Sequence, residues 1–394
     1  LLLFFRFSNN CYIHYLTKRI QCTRVMNMPI MEKLIAHNED DINREVLRLI
    51  NKLKDDNYLD QAEFLFLLKN VSLSEIDYLK KLADTVRKEV YGNSVYMRGL
   101  IEFSNFCKQG CNYCGIRALN PNVDRYRLDK DVILDCCTEG YRLGYRTFVL
   151  QSGEDPKFDD ETMVEILKSI KSKFNDVAIT LSVGEKTKEQ YQKYYDAGAD
   201  RYLLRHETAN KKHYEKLHPN SMSFENRMQC LKDLKDIGFQ TGCGIMINSP
   251  GQSNESLVQD LEFIASFKPH MVGIGPFLNH DQTPFSGFDD GTINQTAVMV
   301  ALVRLILPEV LLPATTALGT LHNKGREMVL KAGANVVMPN SSPTEHREKY
   351  EIYQNKICTG DEAAHCRGCI ETRIEFSGYK VDMSIGHHKS MEEQ

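Results

Sequence analysis

Three cysteines, Cys107, Cys111 and Cys114, lie within eight residues in the run FCKQGCNYC, spaced Cys-x3-Cys-x2-Cys. Thiolates are soft ligands suited to iron–sulfur clusters and to zinc. A structural zinc site takes four protein ligands in a tetrahedron, and no fourth Cys or His stands nearby in the sequence. Three thiolates on a four-iron cluster leave one iron open to bind and activate a small molecule; a zinc knuckle completed from afar is the other reading. A second trio, Cys358, Cys366 and Cys369, runs Cys-x7-Cys-x2-Cys with His365 beside its middle member. It reads as metal or iron–sulfur ligation, in its plainest form a zinc staple on the last segment. The scattered Cys11, Cys22, Cys136, Cys137, Cys230 and Cys243 read as small buried hydrophobes. Clustered thiols in a chain this long, read as lacking a secretory leader, point to a reducing compartment and not to a disulfide framework.

The elements that must position these thiols follow from the rest of the 394 residues. Hydrophobic residues are 42% and charged residues 26%, which excludes collagen-like and wholly disordered chains. The net charge, 49 − 53 = −4, gives no global electrostatic case for nucleic acid or a membrane surface. The most apolar stretch, Ala297 to Leu318, is broken by Arg304, Pro308, Glu309 and Pro313, so no transmembrane helix is expected. Residues 1–31 carry Arg6, Lys18, Arg19 and Arg24 and no acid. That is the composition of an organelle transit peptide, or else of a mis-started gene with Met26, Met28 or Met31 as its start. The expected location is cytoplasmic, or a hydrogenosome- or mitochondrion-like organelle if the leader is real.

Four regions are expected: the leader 1–31, a helical region 32–94, a barrel 95–340 and a cysteine-bearing C-terminal extension 341–394. In the second, Val46, Leu49, Ile50 and Leu53 recur at helical spacing, as do Phe64, Leu65 and Leu68. Strands are then predicted at Tyr96–Phe103, Thr147–Gln151, Val177–Ser182, Arg201–Arg205, Gln240–Ile247, Met271–Pro276, Val310–Thr315 and Asn335–Met338. Helices fit between them, among them Asp160–Lys173, Glu225–Asp236, Glu255–Phe267 and Gln295–Ile306. Four joints repeat one device, a Gly at the helix end: Gly144, Gly198, Gly238 and Gly333. Eight strands alternating with helices predict an α/β fold, a complete (βα)8 TIM-type barrel with an N-terminal helical cap. An open doubly wound sheet is the runner-up. Active sites of such barrels lie at the C-terminal strand ends. Those ends carry Ser104 and the first cysteines, Ser152-Gly153-Glu154, Ser182, Arg205-His206-Glu207, Met246, Pro276, Thr315-Thr316 and Pro339-Asn340.

A Cys-x3-Cys-x2-Cys loop after the first barrel strand, with aromatic Tyr113 before the last Cys, resembles the radical S-adenosylmethionine (SAM) superfamily. More narrowly, IEFSNFC, GCNYCG, VLQSGED, DAGADRYLLRHETAN, SFENR, MVGIGPF, LLPATTALGT and GANVVMPN resemble the HydE family, radical SAM maturases of iron–iron hydrogenases. These runs span roughly residues 95–370, and LLRHETAN and PATTALGT are more specific than the cysteine loop. The resemblance implies a 4Fe–4S cluster on Cys107, Cys111 and Cys114, its open iron taking the SAM amino and carboxylate groups. Ser152, Gly153 and Glu154 would receive the SAM amino group, with Ser152 a departure from the superfamily's Gly. Arg227 would pair with the SAM carboxylate, a role suited to a guanidinium fork. Glu207 would accept hydrogen bonds, and Met246, Met271, Ile352 and Tyr353 would cradle the adenosine. Solvated or structural charges remain the plainer reading of Arg227 and Glu207, and core packing that of the methionines.

The implied substrate is a cysteine-bound iron carrying CO and cyanide, with Ser152, Thr180, Arg205, Thr315, Thr316 and Tyr350 lining its pocket. Cys358, Cys366 and Cys369 would hold an auxiliary iron–sulfur cluster, 2Fe–2S or 4Fe–4S. Implied partners are the radical SAM synthase of the iron synthon, the scaffold GTPase and an electron donor such as ferredoxin. Biotin synthase-like and methylornithine synthase-like enzymes are the alternatives within the superfamily. A non-catalytic zinc-bound scaffold is the alternative of another class.

Overall fold

A computed structural model describes residues 43–360 and 363–391, so the expected leader lies outside the described residues. Helix Arg44–Asp56 buries Val46, Leu49, Ile50 and Leu53, the stripe its periodicity sets. Helix Gln61–Asn70 starts in a capping box of Asp60 and Glu63, and helix Leu73–Tyr91 follows.

Strand β1 (Ser94–Met97) is separated from β2 (Gly99–Ser104) by Arg98 alone. With β3 (Thr147–Ser152), β4 (Ala178–Ser182), β5 (Arg201–Leu203), β6 (Gln240–Ile247) and β7 (Met271–Pro276), β2 forms a parallel six-stranded sheet in sequence order. Helices Asp160–Lys173, Phe224–Ile237, Asn254–Phe267 and Ile293–Ile306 stand where the amphipathic pattern puts them. Gly144, Gly198, Gly238 and Gly333 have φ of 98, 106, 110 and 101°, the left-handed region that a Cβ disfavours. The repeated Gly therefore turns each helix back toward the sheet.

The expected seventh strand, Val310–Thr315, is not a regular strand. It is reduced to single parallel bridges, Met271↔Leu311 and Pro313↔Val336. Pro313 has no N–H to give a ladder, which keeps the pairing short. Strand β8 shrinks to Val336–Val337 and pairs with β1, and a bridge joins Leu100 to Asn340. The architecture is a TIM-barrel-like parallel sheet with helices packed outside it.

One strand has no counterpart in the sequence reading. Strand β9 (Lys380–Asp382) pairs in parallel with β1, and the chain after it packs against the lower, N-terminal ends of the strands. Thr147 Oγ1 and Arg201 Nη2 donate to the Ile385 carbonyl at 2.8 and 3.0 Å, and Arg98 Nη2 to that of Gly386 at 3.1 Å. The C-terminal chain thus adds a strand beside β1, within the compact unit that begins at Arg44. Helix Ile293–Ile306 is buried on nearly every face from Thr296 onward, which explains its apolar run Ala297–Val303. Among the described residues, no helix is long and apolar enough to cross a membrane.

Candidate active site

The cysteine loop leaves β2 at Ser104 and is fastened to its neighbours mainly by backbone. Lys108 N donates to the Glu154 carbonyl at 2.9 Å, Asn112 N to Leu217 at 2.8 Å and Gly115 N to Ile352 at 2.9 Å. Arg125 Nη1 donates to the Ile116 carbonyl and Nη2 to that of Arg117, each at 2.7 Å, fixing the loop from within. Beneath it Ser104 Oγ and Arg127 Nε both donate to buried Asp155 at 2.6 Å. Burial pushes the Cys107 thiol up and Cys111 well up, the latter also through Cys114 and Cys107; burial and Cys107 push Cys114 up to about 12. Cys111 and Cys114 therefore sense their neighbouring sulfurs.

Room around the loop is tight. A Cβ at Gly153 would meet the Phe106 carbonyl oxygen at 2.3 Å and Cys107 Cβ at 2.7 Å, so this Gly lets the β3 end touch the loop. Buried Glu154 accepts from Gln109 Nε2 at 2.7 Å and from Glu185 N at 3.0 Å. Arg227 is buried and donates through Nε to Glu185 Oε1 at 2.6 Å and through Nη1 to the Arg205 carbonyl. It is a paired buried charge, not a solvated one. Glu207 lies next to Arg205, 3.1 Å from Nη2 to Oε2, on a left-handed backbone with φ 65°. Met246 is buried with Leu217 and Phe277 against Tyr113.

Inside the sheet, Arg205 Nη2 donates to the Ile245 carbonyl at 2.7 Å. Gly273 and Gly244 leave space for its stem, 3.8 Å from a Cβ built on the first and 2.8 Å from one on the second. Thr180 Oγ1, Arg205 Nε and Thr315 Oγ1 are buried without a hydrogen-bond partner. Unsatisfied buried polar atoms are uncommon in native proteins. Three of them inside one sheet suit a place that receives a polar molecule. Tyr350 joins the same wall, its hydroxyl accepting from Gln151 Nε2 at 3.3 Å.

Other expected site residues are not brought there. Met271 begins β7, at the end opposite the rim, in a cluster with Tyr91, Tyr96, Leu311 and Val336; its sulfur accepts from Arg98 Nη1 at 3.4 Å. At about 3.3 Å per residue, five residues separate it from the rim at Pro276 by about 16 Å. Its hydrophobic character belongs to the core. The Ser152 hydroxyl donates to the Gly153 carbonyl at 2.7 Å and lies on the helix side of β3, with Phe158, Met163 and Val183. Thr316 faces a small space shared with Cys358, Cys366 and Arg326, and Tyr353 hydrogen-bonds toward Thr320 on that side. Ile352 reaches the cysteine loop through its carbonyl.

Of the second trio, Cys366 is buried and hydrogen-bonds to Cys358, while both Arg326 Nη atoms lie 3.8 Å from the Cys358 sulfur. Cys369 is exposed. Among the described residues, no three of His, Cys, Asp and Glu converge on one point as a single-ion site. Sequence reasoning missed Glu185, Gln151 and Glu102. Glu102 had a signal, being the one charge in the wholly buried strand GLIEFS; it accepts from Lys356 Nζ at 2.6 and 2.7 Å.

Residues 101–264 match the family model of the Radical SAM superfamily, and with this fold and thiol loop the chain is by class a radical SAM enzyme. A relative, the FeFe hydrogenase maturase subunit HydE of Thermotoga maritima, is 45% identical over 79% of this chain and 88% of its own length. The chain belongs to the HydE family. It is also 30% identical, over 74% of its length and 83% of the relative's, to the 3-methylornithine synthase of Methanosarcina acetivorans. Among solved structures, methylornithine synthase (PylB) superposes with TM-score 0.75 and 28% identity, covering 85% of this chain and 97% of that one. HydG, a maturase of the FeFe-hydrogenase, superposes with TM-score 0.70 over 89% and 78%; at 20% identity that likeness concerns the fold alone.

The residues fit the cluster and SAM that this superfamily implies. The donors are three soft sulfurs on one loop, their thiols shifted up by burial, and a bound metal would displace their protons. Glu207, paired with Arg205 at 3.1 Å, and the unpartnered Arg205 Nε offer an acceptor and a donor to a zwitterionic ligand.

Proposed function

We propose that this enzyme of FeFe-hydrogenase maturation acts on a cysteine-bound iron carrying two CO ligands and one cyanide, yielding a precursor of the diiron subcluster. The carrying observation is the set of unsatisfied polar atoms inside the sheet, Thr180 Oγ1, Arg205 Nε and Thr315 Oγ1. A cation and two hydroxyls in a walled site suit an anionic substrate rich in acceptors.

Cys107, Cys111 and Cys114 would hold a 4Fe–4S cluster. The chemistry such a cluster would supply with SAM bound is one-electron cleavage of the sulfonium to methionine and a 5′-deoxyadenosyl radical. The protein's part is orientation and exclusion of water. Gly153 and Glu154 would face the SAM amino group, Arg227 its carboxylate, Glu207 its polar groups, and Met246 and the Ile352 region the adenine. Arg205 would hold the substrate carboxylate, with Thr180, Thr315 and Tyr350 around the iron's ligands. The bridges that join β7 to Leu311, Pro313 to β8 and β8 to β1 support one closed eight-stranded barrel around this pocket.

Cys358 and Cys366 would contribute to an auxiliary iron–sulfur site, with Cys369 swinging in as a third ligand. The partners would be the other hydrogenase maturases, a scaffold GTPase among them, and a low-potential donor such as ferredoxin. The proposed location is the cytoplasm.

Anaerobic reconstitution followed by metal and acid-labile sulfide analysis tests the reading. Iron with sulfide, and 5′-deoxyadenosine whose yield responds to a synthetic cysteine–iron–carbonyl–cyanide complex, is expected. Zinc without sulfide would overturn it in favour of a scaffold.

A further inference from the structure

Residues Lys349 to Cys358 form neither helix nor strand, yet they run across the upper end of the sheet. Asn105 Nδ2 donates to the Lys349 carbonyl at 2.7 Å and Gly115 N to that of Ile352 at 2.9 Å, on the loop after β2. Farther along, Gln354 N donates to the Asn279 carbonyl at 3.1 Å, after β7, and Ile357 N to Thr320 Oγ1 at 3.4 Å. The fit is close, for a Cβ at Gly115 would lie 2.2 Å from the Glu351 carbonyl oxygen. The segment spans the mouth from one cysteine loop to the other.

Lys356 anchors it from beneath. Its ammonium donates to both Glu102 carboxylate oxygens, at 2.6 and 2.7 Å, and to the Tyr350 carbonyl at 3.0 Å, and it lies 4.8 Å from the Tyr350 ring centre. The Lys356 side chain is 7% exposed and Glu102 2%. Asn340 Nδ2 completes the carboxylate at 2.8 Å. A buried ion pair is a weak source of net stability, because desolvation offsets the attraction; its best-attested use is to fix one register among several. An irregular segment without a ladder of its own needs such a fixed point. Tyr350, which Lys356 holds at its carbonyl, is also the residue whose hydroxyl meets Gln151 in the pocket wall.

We propose that Lys356 is a positioning residue: through Glu102 it registers the 349–358 segment over the barrel mouth and so keeps water from the reacting atoms. The sealing purpose rests on the radical-enzyme reading above, whereas the registry claim concerns this chain alone. Hydrogen exchange read by mass spectrometry, on the full chain without turnover, tests it. In Lys356→Met, amides of 350–358 should exchange about tenfold faster or more, while β3 and β6 keep their protection. Lys356→Arg should restore most of that protection. Glu102→Gln/Lys356→Met, which leaves no unpaired charge, should exchange like the single Met variant. After reconstitution, Lys356→Met should also form more 5′-deoxyadenosine per product than the parent. Unchanged exchange in 350–358 would overturn the proposal, as would equal loss of protection in β3 and β6, the mark of ordinary core damage. A parent protein that makes no 5′-deoxyadenosine would overturn the functional reading and leave exchange to decide the role of Lys356.

Discussion

Arg205 Nη2 lies 3.1 Å from Glu207 Oε2 with a single residue between them, and Glu207 holds that position from a left-handed backbone at φ 65°. A non-glycine residue there carries strain of about 1–3 kcal/mol. Strain retained beside an unsatisfied guanidinium Nε marks a site shaped for binding at some expense in stability. Glu207→Gly should relieve it and leave the thermal midpoint level or raised, while SAM-dependent turnover falls about a hundredfold, near 2.7 kcal/mol in barrier. Calorimetry beside a 5′-deoxyadenosine assay checks both halves.

The two cysteine sets should separate cleanly. Cys111→Ser is expected to abolish reductive SAM cleavage, and Cys366→Ser to leave turnover largely intact. Parallel assays of the two reconstituted variants decide it; reversed outcomes would contradict the assignment.

Gly153 offers a test of the loop itself. A Cβ there would press the Phe106 carbonyl and Cys107 Cβ, at 2.3 and 2.7 Å. Gly153→Ala should therefore displace Cys107 and lower iron and sulfide incorporated on reconstitution, with far-ultraviolet circular dichroism unchanged.

Met271 and Met246 make opposite predictions for SAM. Met271 lies in the lower cluster with Tyr91 and Val336, so Met271→Leu should leave SAM affinity unchanged. Met246 packs by Tyr113, so Met246→Ala should weaken SAM by about tenfold, or 1.4 kcal/mol. Equilibrium binding to the reconstituted variants measures both.

Acid stability should report His213. Burial lowers its pKa from 6.5 to about 4. The unfolded chain then takes up the proton first as pH falls, so stability present above about 6.5 is lost toward about 4. Chemical denaturation across that window should show the loss, and His213→Gln should reduce it, the remainder belonging to His218, which burial lowers to about 3.

Much of the scaffold was legible because its signals are local. The helix stripe of Val46, Leu49, Ile50 and Leu53 and the four glycines at helix ends reflect rules acting within a few residues, and the structure bears them out. Helix Asp160–Lys173 has the predicted bounds. What failed depends on distant partners. Nothing near Lys380 announces that it pairs beside Ser94, and nothing near Pro313 says that its neighbours supply single bridges. Met271 illustrates the same limit, since a methionine in a barrel strand can face either end and only the register with Gly242 places it low. Glu185 was missed because a loop acid has no periodicity, although it is what holds Arg227.

Electron paramagnetic resonance of the anaerobically reconstituted, reduced protein tests the central claim most directly. It should be recorded with SAM, and with and without the synthetic cysteine–iron–carbonyl–cyanide complex. The account predicts a cluster signal that shifts on adding SAM, and a new adenosyl-linked paramagnetic species when the complex is present. A cluster signal indifferent to SAM, or no iron–sulfur signal at all, would contradict it.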